Sequence, residues 1–259
     1  MPNGRGLFEQ SRAPIGLFLW EFTGAGAFTA LATAGLDFAV LDMEHGGFSW
    51  REIANALAGA RATTLSALVR VPELSRSAVG RALDLGADGV IAPHINNREQ
   101  SEELVRYTRY APIGARNVAI GSPHDGYGAT GLPLEELAIE ANNRICCIAL
   151  VETRQGVDAI EEIVQTPGLD AIWLGFADLS QSLGALGDYS SSTFRMAEER
   201  VLSACRAAGM PIGVIATSAE AVSAQLARGY RPIALGTDVS VLQTALSGII
   251  RQMQTAGEE

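Results

Sequence analysis

Asp42, Glu44 and His45 fall within four residues and directly follow the apolar run Phe38-Ala39-Val40-Leu41. Ionisable groups at the end of a core strand are costly to bury unless they are paired or used. Other polar residues stand at the ends of apolar runs further along: Arg70 in SALVRV, Glu152 at the end of ICCIALVE, and Asp178 in the turn Gly175-Phe176-Ala177-Asp178. Glu152 and Asp178 have no histidine or thiolate near them in sequence. Two such carboxylates suit a hard divalent ion, Mg²⁺ or Mn²⁺, that completes its shell with water and substrate oxygens. His45 has the pKa range for proton transfer near neutrality. Arg70 calls for an anionic partner, which could be Asp42, a bound substrate or both. Asp178 also precedes Leu179-Ser180, where a helix can begin and offer free backbone N–H groups to a carboxylate. His94, inside GVIAPHI, reads as core or rim, and His124 lies in a glycine-rich stretch.

These residues need a scaffold that gathers strand ends on one face. Eight short runs rich in branched residues recur along the chain, at 15–20, 38–43, 66–71, 89–95, 145–152, 171–176, 211–216 and 232–238. Amphipathic segments at 50–62, 75–87, 98–109, 156–166, 194–208 and 218–228 separate them, and Gly86, Gly209 and Gly229 sit where helix-ending glycines belong. Eight β–α alternations with near-continuous apolar strands predict an α/β fold, a (β/α)8 TIM barrel with its site at the C-terminal ends of the strands. A doubly wound open sheet is the rival, but no GxGxxG turn follows an early strand. No linker or charge block divides the chain, so a single domain is expected over 1–259, with 111–143 as one long glycine-rich loop.

Composition narrows the chemistry. Of 259 residues, 47% are apolar and 19% charged, and the formal charge is −10, which disfavours nucleic acid as a partner. No apolar run approaches a membrane span, the polar and proline-containing start does not resemble a signal peptide, and a cytoplasmic location is expected. The three cysteines, two of them adjacent at Cys146 and Cys147, form no metal or disulfide pattern and read as core. All 19 basic residues are arginine. Without lysine, neither a Schiff base nor pyridoxal phosphate can be attached, so carbon–carbon chemistry would need a metal to activate a carbonyl.

The ordered pieces LDMEHGGFS, LVRV, RALDLGADGVIAPHI, RYAPIGAR, VETRQGVDAIEEI, GLDAIWLGFADLSQSLG and ALGTDVSVL resemble the HpcH/HpaI class II aldolases, from Ile15 to about Leu242. The resemblance implies a pyruvate-type barrel, assembled as a homo-oligomer from dimer to hexamer with its last helix exchanged between subunits. It implies Glu152 and Asp178 as ligands of Mg²⁺ or Mn²⁺, with Co²⁺ also admissible. His45 would be the acid/base with Asp84 as its dyad partner, Arg70 the stabiliser of the enolate oxygen, and Asp42 the residue that orients Arg70. Gly175 and the amides of Ala177 and Asp178 would meet the substrate carboxylate. The implied reaction cleaves or forms a 4-hydroxy-2-oxo acid, giving pyruvate or a related 2-oxo acid and an aldehyde. Relatives that condense oxaloacetate, including a citrate synthase-like branch of siderophore pathways, offer an alternative. Three departures bear on the substrate. Leu150 replaces a frequent glutamine, Phe176 a frequent proline and Asn117 a glycine, and the arginine–aromatic pair common after it is missing from 117–130.

Overall fold

A computed structural model of the chain describes residues 3–256, so the outermost residues of the expected 1–259 span lie outside it. Eight parallel strands close in sequence order into a barrel: β1 Ile15–Leu19, β2 Phe38–Asp42, β3 Ser66–Arg70, β4 Gly89–Ala92, β5 Cys146–Val151, β6 Ala171–Leu174, β7 Ile212–Ile215 and β8 Ile233–Thr237. The helices between and after them are α1 Ala25–Thr33, α2 Trp50–Ala60, α3 Arg76–Asp84, α4 Arg98–Thr108, α5 Leu134–Arg144, α6 Arg154–Asp158, α7 Ile160–Ile163, α8 Phe176–Ser182, α9 Ser192–Ala208, α10 Ala219–Arg228 and α11 Asp238–Ala256. The TIM barrel expected from the alternation is therefore present, with each strand one to three residues shorter than its apolar run. Among the described residues, no helix is long and apolar enough to cross a membrane.

Alternation along the strands sorts their side chains into two cores. Phe18, Phe38, Val40, Leu68, Ile91, Ile148, Leu150 and Trp173 fill the barrel interior, and Leu7 plugs its floor. The intervening residues, Ala39, Leu41, Val69, Val90 and Ala149 among them, pack outward under the helices. The large interior side chains fit because neighbouring strands carry glycine. A Cβ on Gly16 would fall 2.5 Å from the Phe38 ring, and one on Gly213 would fall 2.5 Å from Trp173. The three cysteines are buried and free, as expected of core residues.

The stretch 111–143 differs from its expectation. A short 3-10 turn at Pro123–Asp125 interrupts it, and its last ten residues belong to α5. That helix starts after Pro133 with Glu135 and Glu136 in its first turn, but buries only Ala141 and Asn142, so it carries no apolar stripe to announce it. Its C-terminal end is held by Arg109, which is 2% exposed and donates to the carbonyls of Asn142 (2.9 Å) and Gly168 (3.1 Å) and to Asp170. Nearby, Asp88 accepts the Ala67 N–H (3.0 Å) and contacts Arg144 (3.2 Å).

Burial raises the Asp88 carboxyl from 3.8 to about 6, despite the opposing pull of the Ala67 N–H and Arg144. The folded chain therefore keeps this proton to a higher pH than the unfolded chain. Its contribution to stability is complete below pH 4 and is lost as the pH rises through 6, a change of roughly 3 kcal/mol. Asp88→Asn, which keeps an acceptor for Ala67, is expected to gain stability relative to the parent between pH 4 and 7 in urea titrations. A pH-independent difference would show that Asp88 titrates normally.

Candidate active site

The period-two alternation carries straight into the site. Asp42 continues the inward series Phe38, Val40; Arg70 continues Leu68; and Glu152 continues Ile148, Leu150. All three side chains therefore turn into the mouth of the barrel at the C-terminal ends of β2, β3 and β5. Parallel pairing sets Asp42 directly opposite Arg70. The Asp42 carboxylate is fully buried and takes Arg70 in bidentate fashion, Nε at 2.8 Å on one oxygen and Nη2 on the other. It also accepts the Trp20 indole N–H (2.6 Å) and the backbone N–H groups of Glu44 (3.0 Å) and His45 (3.3 Å). Burial alone would raise its proton affinity. The guanidinium and these donors outweigh that and hold it below the usual carboxylate range. Burial likewise works against the Arg70 charge, but Asp42, Glu44 and Glu152 together keep it more firmly protonated than usual. Asp42 is thus committed to Arg70 and is not free to bind a metal.

Glu152 has the opposite environment. It is 1% exposed, and among the described residues no arginine pairs with it. Burial raises its pKa, the His94 N–H lowers it, and the charges of Glu44 and Asp178 raise it further. Glu44 lies beside it. Its Oε2 is 3.1 Å from Arg70 Nη1, without the alignment of a hydrogen bond, so that oxygen is buried without a donor. Gly175 clears the space in front of Glu152, since a Cβ there would fall 2.8 Å from Glu152 Oε2. An underpaired buried carboxylate, an orphaned carboxylate oxygen and a cradle kept open by glycine fit a divalent cation.

His45, Arg70, Glu152, Gly175, Ala177 and Asp178 all line one cavity of about 630 Å³. Asp178 enters it from the first turn of α8, and His45 from the loop after β2, edge-on to Trp20 at 6.1 Å. The rest of the wall is largely apolar: Phe18, Trp20, Leu150, Trp173, Phe176, Tyr189, Ile215 and Ala216, with Thr217 and Gln225 as its uncharged polar members. Phe176 is braced from outside by Phe194 (5.1 Å), Tyr189 (5.7 Å) and Tyr230 (6.3 Å).

Asp84 is not brought to His45 by one chain. It is the last residue of α3, which runs antiparallel to the strands, so it stands at the barrel floor, where Arg116 Nη2 holds it at 2.8 Å. His124 is also away from the cavity, hydrogen-bonded to Ser122 and Tyr110 (2.9 Å each). Asn117 accepts from Arg76 (3.1 Å) outside the cavity lining. Asp238 escapes the sequence reading, and His94 reads there as core or rim inside a strand. Asp238, after β8, accepts the N–H groups of Trp20, Glu21 and Phe22 (3.0, 3.0 and 2.8 Å) and so fixes the loop that delivers the indole to Asp42. His94 stands against Glu152 rather than in a strand, because β4 stops at Ala92. Their signal was the one that marked the others, a polar side chain just past an apolar strand.

Gly175→Ala tests the cradle. The new methyl, 2.8 Å from both Cβ and Oε2 of Glu152, displaces that side chain, and calorimetric titration with Mn²⁺ is expected to show affinity about 10–100-fold weaker, a typical effect of disturbing a ligand's support, together with a lowered unfolding temperature. Unchanged affinity would mean that Glu152 does not hold the ion.

The HpcH/HpaI aldolase/citrate lyase family model matches residues 15–245. A hydroxypyruvate/pyruvate aldolase of Paraburkholderia phytofirmans is 32% identical over 92% of each chain. A crystal structure of a family protein from Burkholderia cenocepacia J2315 superposes with a TM-score of 0.89 at 33% identity, covering 97% of this chain and 98% of that one. The citrate synthase SbnG superposes with a TM-score of 0.87 at 28% identity, covering 99% of both. A matching family model over nearly the whole barrel, with the strand-end acids, arginine and histidine in one cavity, makes this chain a member of the HpcH/HpaI aldolase/citrate lyase family.

Proposed function

We propose that the chain is a metal-dependent aldolase that cleaves or forms a 4-hydroxy-2-oxo acid, with pyruvate or a related 2-oxo acid and an aldehyde as the other side of the reaction. The observation that carries this reading is the convergence of His45, Arg70, Glu152 and Asp178 on one cavity. Glu152 and Asp178 would hold Mg²⁺ or Mn²⁺, and the ion would polarise the 2-oxo group and take up negative charge from the breaking bond. The first-turn N–H groups of Ala177 and Asp178, which have no partner within α8, orient the substrate carboxylate. His45 takes the proton of the 4-hydroxyl as the C3–C4 bond breaks and returns it in the reverse direction. Arg70, kept charged by Asp42, stabilises the oxygen on which charge develops.

Condensation on oxaloacetate is the second reading, supported by the likeness to a citrate synthase and by Leu150 and Phe176 at the cavity wall. It predicts thiol release from acetyl-CoA in the presence of oxaloacetate.

The aldolase reading is tested by following pyruvate release from 4-hydroxy-2-oxo acids. EDTA or Glu152→Gln is expected to abolish it, and His45→Gln to lower kcat by about 10²–10⁴-fold while Mn²⁺ affinity is kept. Release insensitive to both EDTA and Glu152→Gln would falsify it.

The same reading makes the chain a homo-oligomer with α11 as the shared element. Val241, Leu242, Leu246, Ile249, Ile250 and Met253 of α11 are exposed, and α10 beside the barrel buries none of its side chains completely. A neighbouring copy is also the only source of a contact between Asp84 and His45, which lie at opposite ends of one barrel. Light scattering is expected to give a multiple of the chain mass, reduced to a single chain by Leu246→Asp with Ile249→Asp. A monomeric parent protein would refute the assembly.

A further inference from the structure

The groups assigned to chemistry occupy one arc of the barrel mouth. His45 follows β2, Arg70 ends β3, Glu152 follows β5 and Asp178 follows β6. The strands close in sequence order, so β7, β8 and β1 form the other arc. What this second arc brings to the cavity is apolar. Strand β7 runs out through Ile215 into Ala216 without turning polar, and β1 is continued by Trp20, whose indole N–H is spent on Asp42. Asp238, the charged residue after β8, is turned away to the N–H groups of Trp20, Glu21 and Phe22. Helix α10 adds Ala221 and Gln225, neither of them charged.

Two physical points follow. The cavity, at about 630 Å³, is larger than a three-carbon acid fills, so a group carried on the aldehyde meets the second arc. The basic members of the lining are Arg70 and His45, both engaged in the chemistry proposed above, and Arg70 is held by Asp42 besides. A second carboxylate, a phosphate or a sulfonate on the substrate would therefore leave water for a wall with no spare cation. An alkyl or aryl group would gain by the same move. Ile215 marks the place: it is an apolar side chain, 40% exposed, at a strand end where β2, β3 and β5 turn polar.

We propose that the aldehyde half of the substrate carries an uncharged, apolar side group, aryl or branched alkyl, that packs along Trp20, Ile215 and Ala216. This rests on the aldolase reading of the site and adds to it the class of the aldehyde.

The test runs the condensation with the full chain, Mn²⁺ and pyruvate, and compares two aldehydes of one shape. In 4-methylpentanal and succinic semialdehyde an isopropyl group and a carboxylate exchange places, while the reacting end stays the same. The parent protein is expected to favour 4-methylpentanal in kcat/KM by about 10–200-fold, the range over which an apolar pocket discriminates. Ile215→Arg brings a cation to the second arc from an exposed position, and the ratio is expected to fall by about tenfold or more. Both aldehydes are measured on one preparation, so a general loss of activity leaves the ratio unchanged and a shift reports the wall. Equal use of the two aldehydes by the parent protein, a preference for succinic semialdehyde, or a ratio that Ile215→Arg leaves unchanged overturns the proposal. Condensation that favours succinic semialdehyde removes this proposal alone, whereas no condensation with any aldehyde removes the aldolase reading and this proposal together.

Discussion

The pairing of Asp42 with Arg70 is the constraint around which the mouth of the barrel is organised. A guanidinium is tolerated at 9% exposure because a carboxylate in register on the next strand meets it in bidentate fashion. That carboxylate in turn gathers the Trp20 indole and the backbone after β2, so it sets where the loop bearing His45 leaves the strand. Asp238 completes the arrangement from the far end of the chain by fastening the loop after β1. Removing one partner of such a pair leaves a bare charge in a dry place, which is why the group is a unit and not a sum of contacts.

Around this pair the charges are deliberately unequal. Arg70 faces Asp42, Glu44 and Glu152, Asp42 already claims most of it, and Asp178 adds its own negative charge to Glu152. The deficit falls on Glu152, whose raised proton affinity and empty foreground describe a position that accepts a cation more readily than it tolerates its own charge. The same chain shows what full compensation looks like: Arg109 at the floor has Asp170 and a ring of carbonyls around it. The two ends of the barrel thus differ in electrostatic completeness, and only the incomplete end faces the cavity.

Much of this was legible in the sequence, for identifiable reasons. Buried parallel strands must be apolar on both faces, so their positions follow from composition alone, and period-two alternation then determines that Asp42, Arg70 and Glu152 share a direction. What could not be read depends on contacts remote in sequence or on local backbone geometry. The hold of Asp238 on Trp20 exists only because β8 pairs with β1. The position of His94 follows from a left-handed residue that its letter does not encode, and the apolar run that seemed to continue to 95 hid the end of β4. Helix α5 was invisible because it buries so little. Asp84 shows what one chain leaves open: helix direction sends it to the opposite rim of its own barrel, where Arg116 holds it.

The bracing of Phe176 by Phe194 of α9 and by Tyr230, between α10 and β8, has an evolutionary consequence. The charged half of the cavity is wired through β2, β3 and β5, whereas the aromatic wall is held from behind by Phe194 and Tyr230, with Tyr230 in turn anchored on buried Glu198 at 2.9 Å. The two halves meet at α8, where Phe176 is followed directly by Ala177 and Asp178, and at Trp20, which lines the wall and donates to Asp42. Drift in residues that never meet a substrate can therefore reshape the wall only as far as that turn and that indole keep their places.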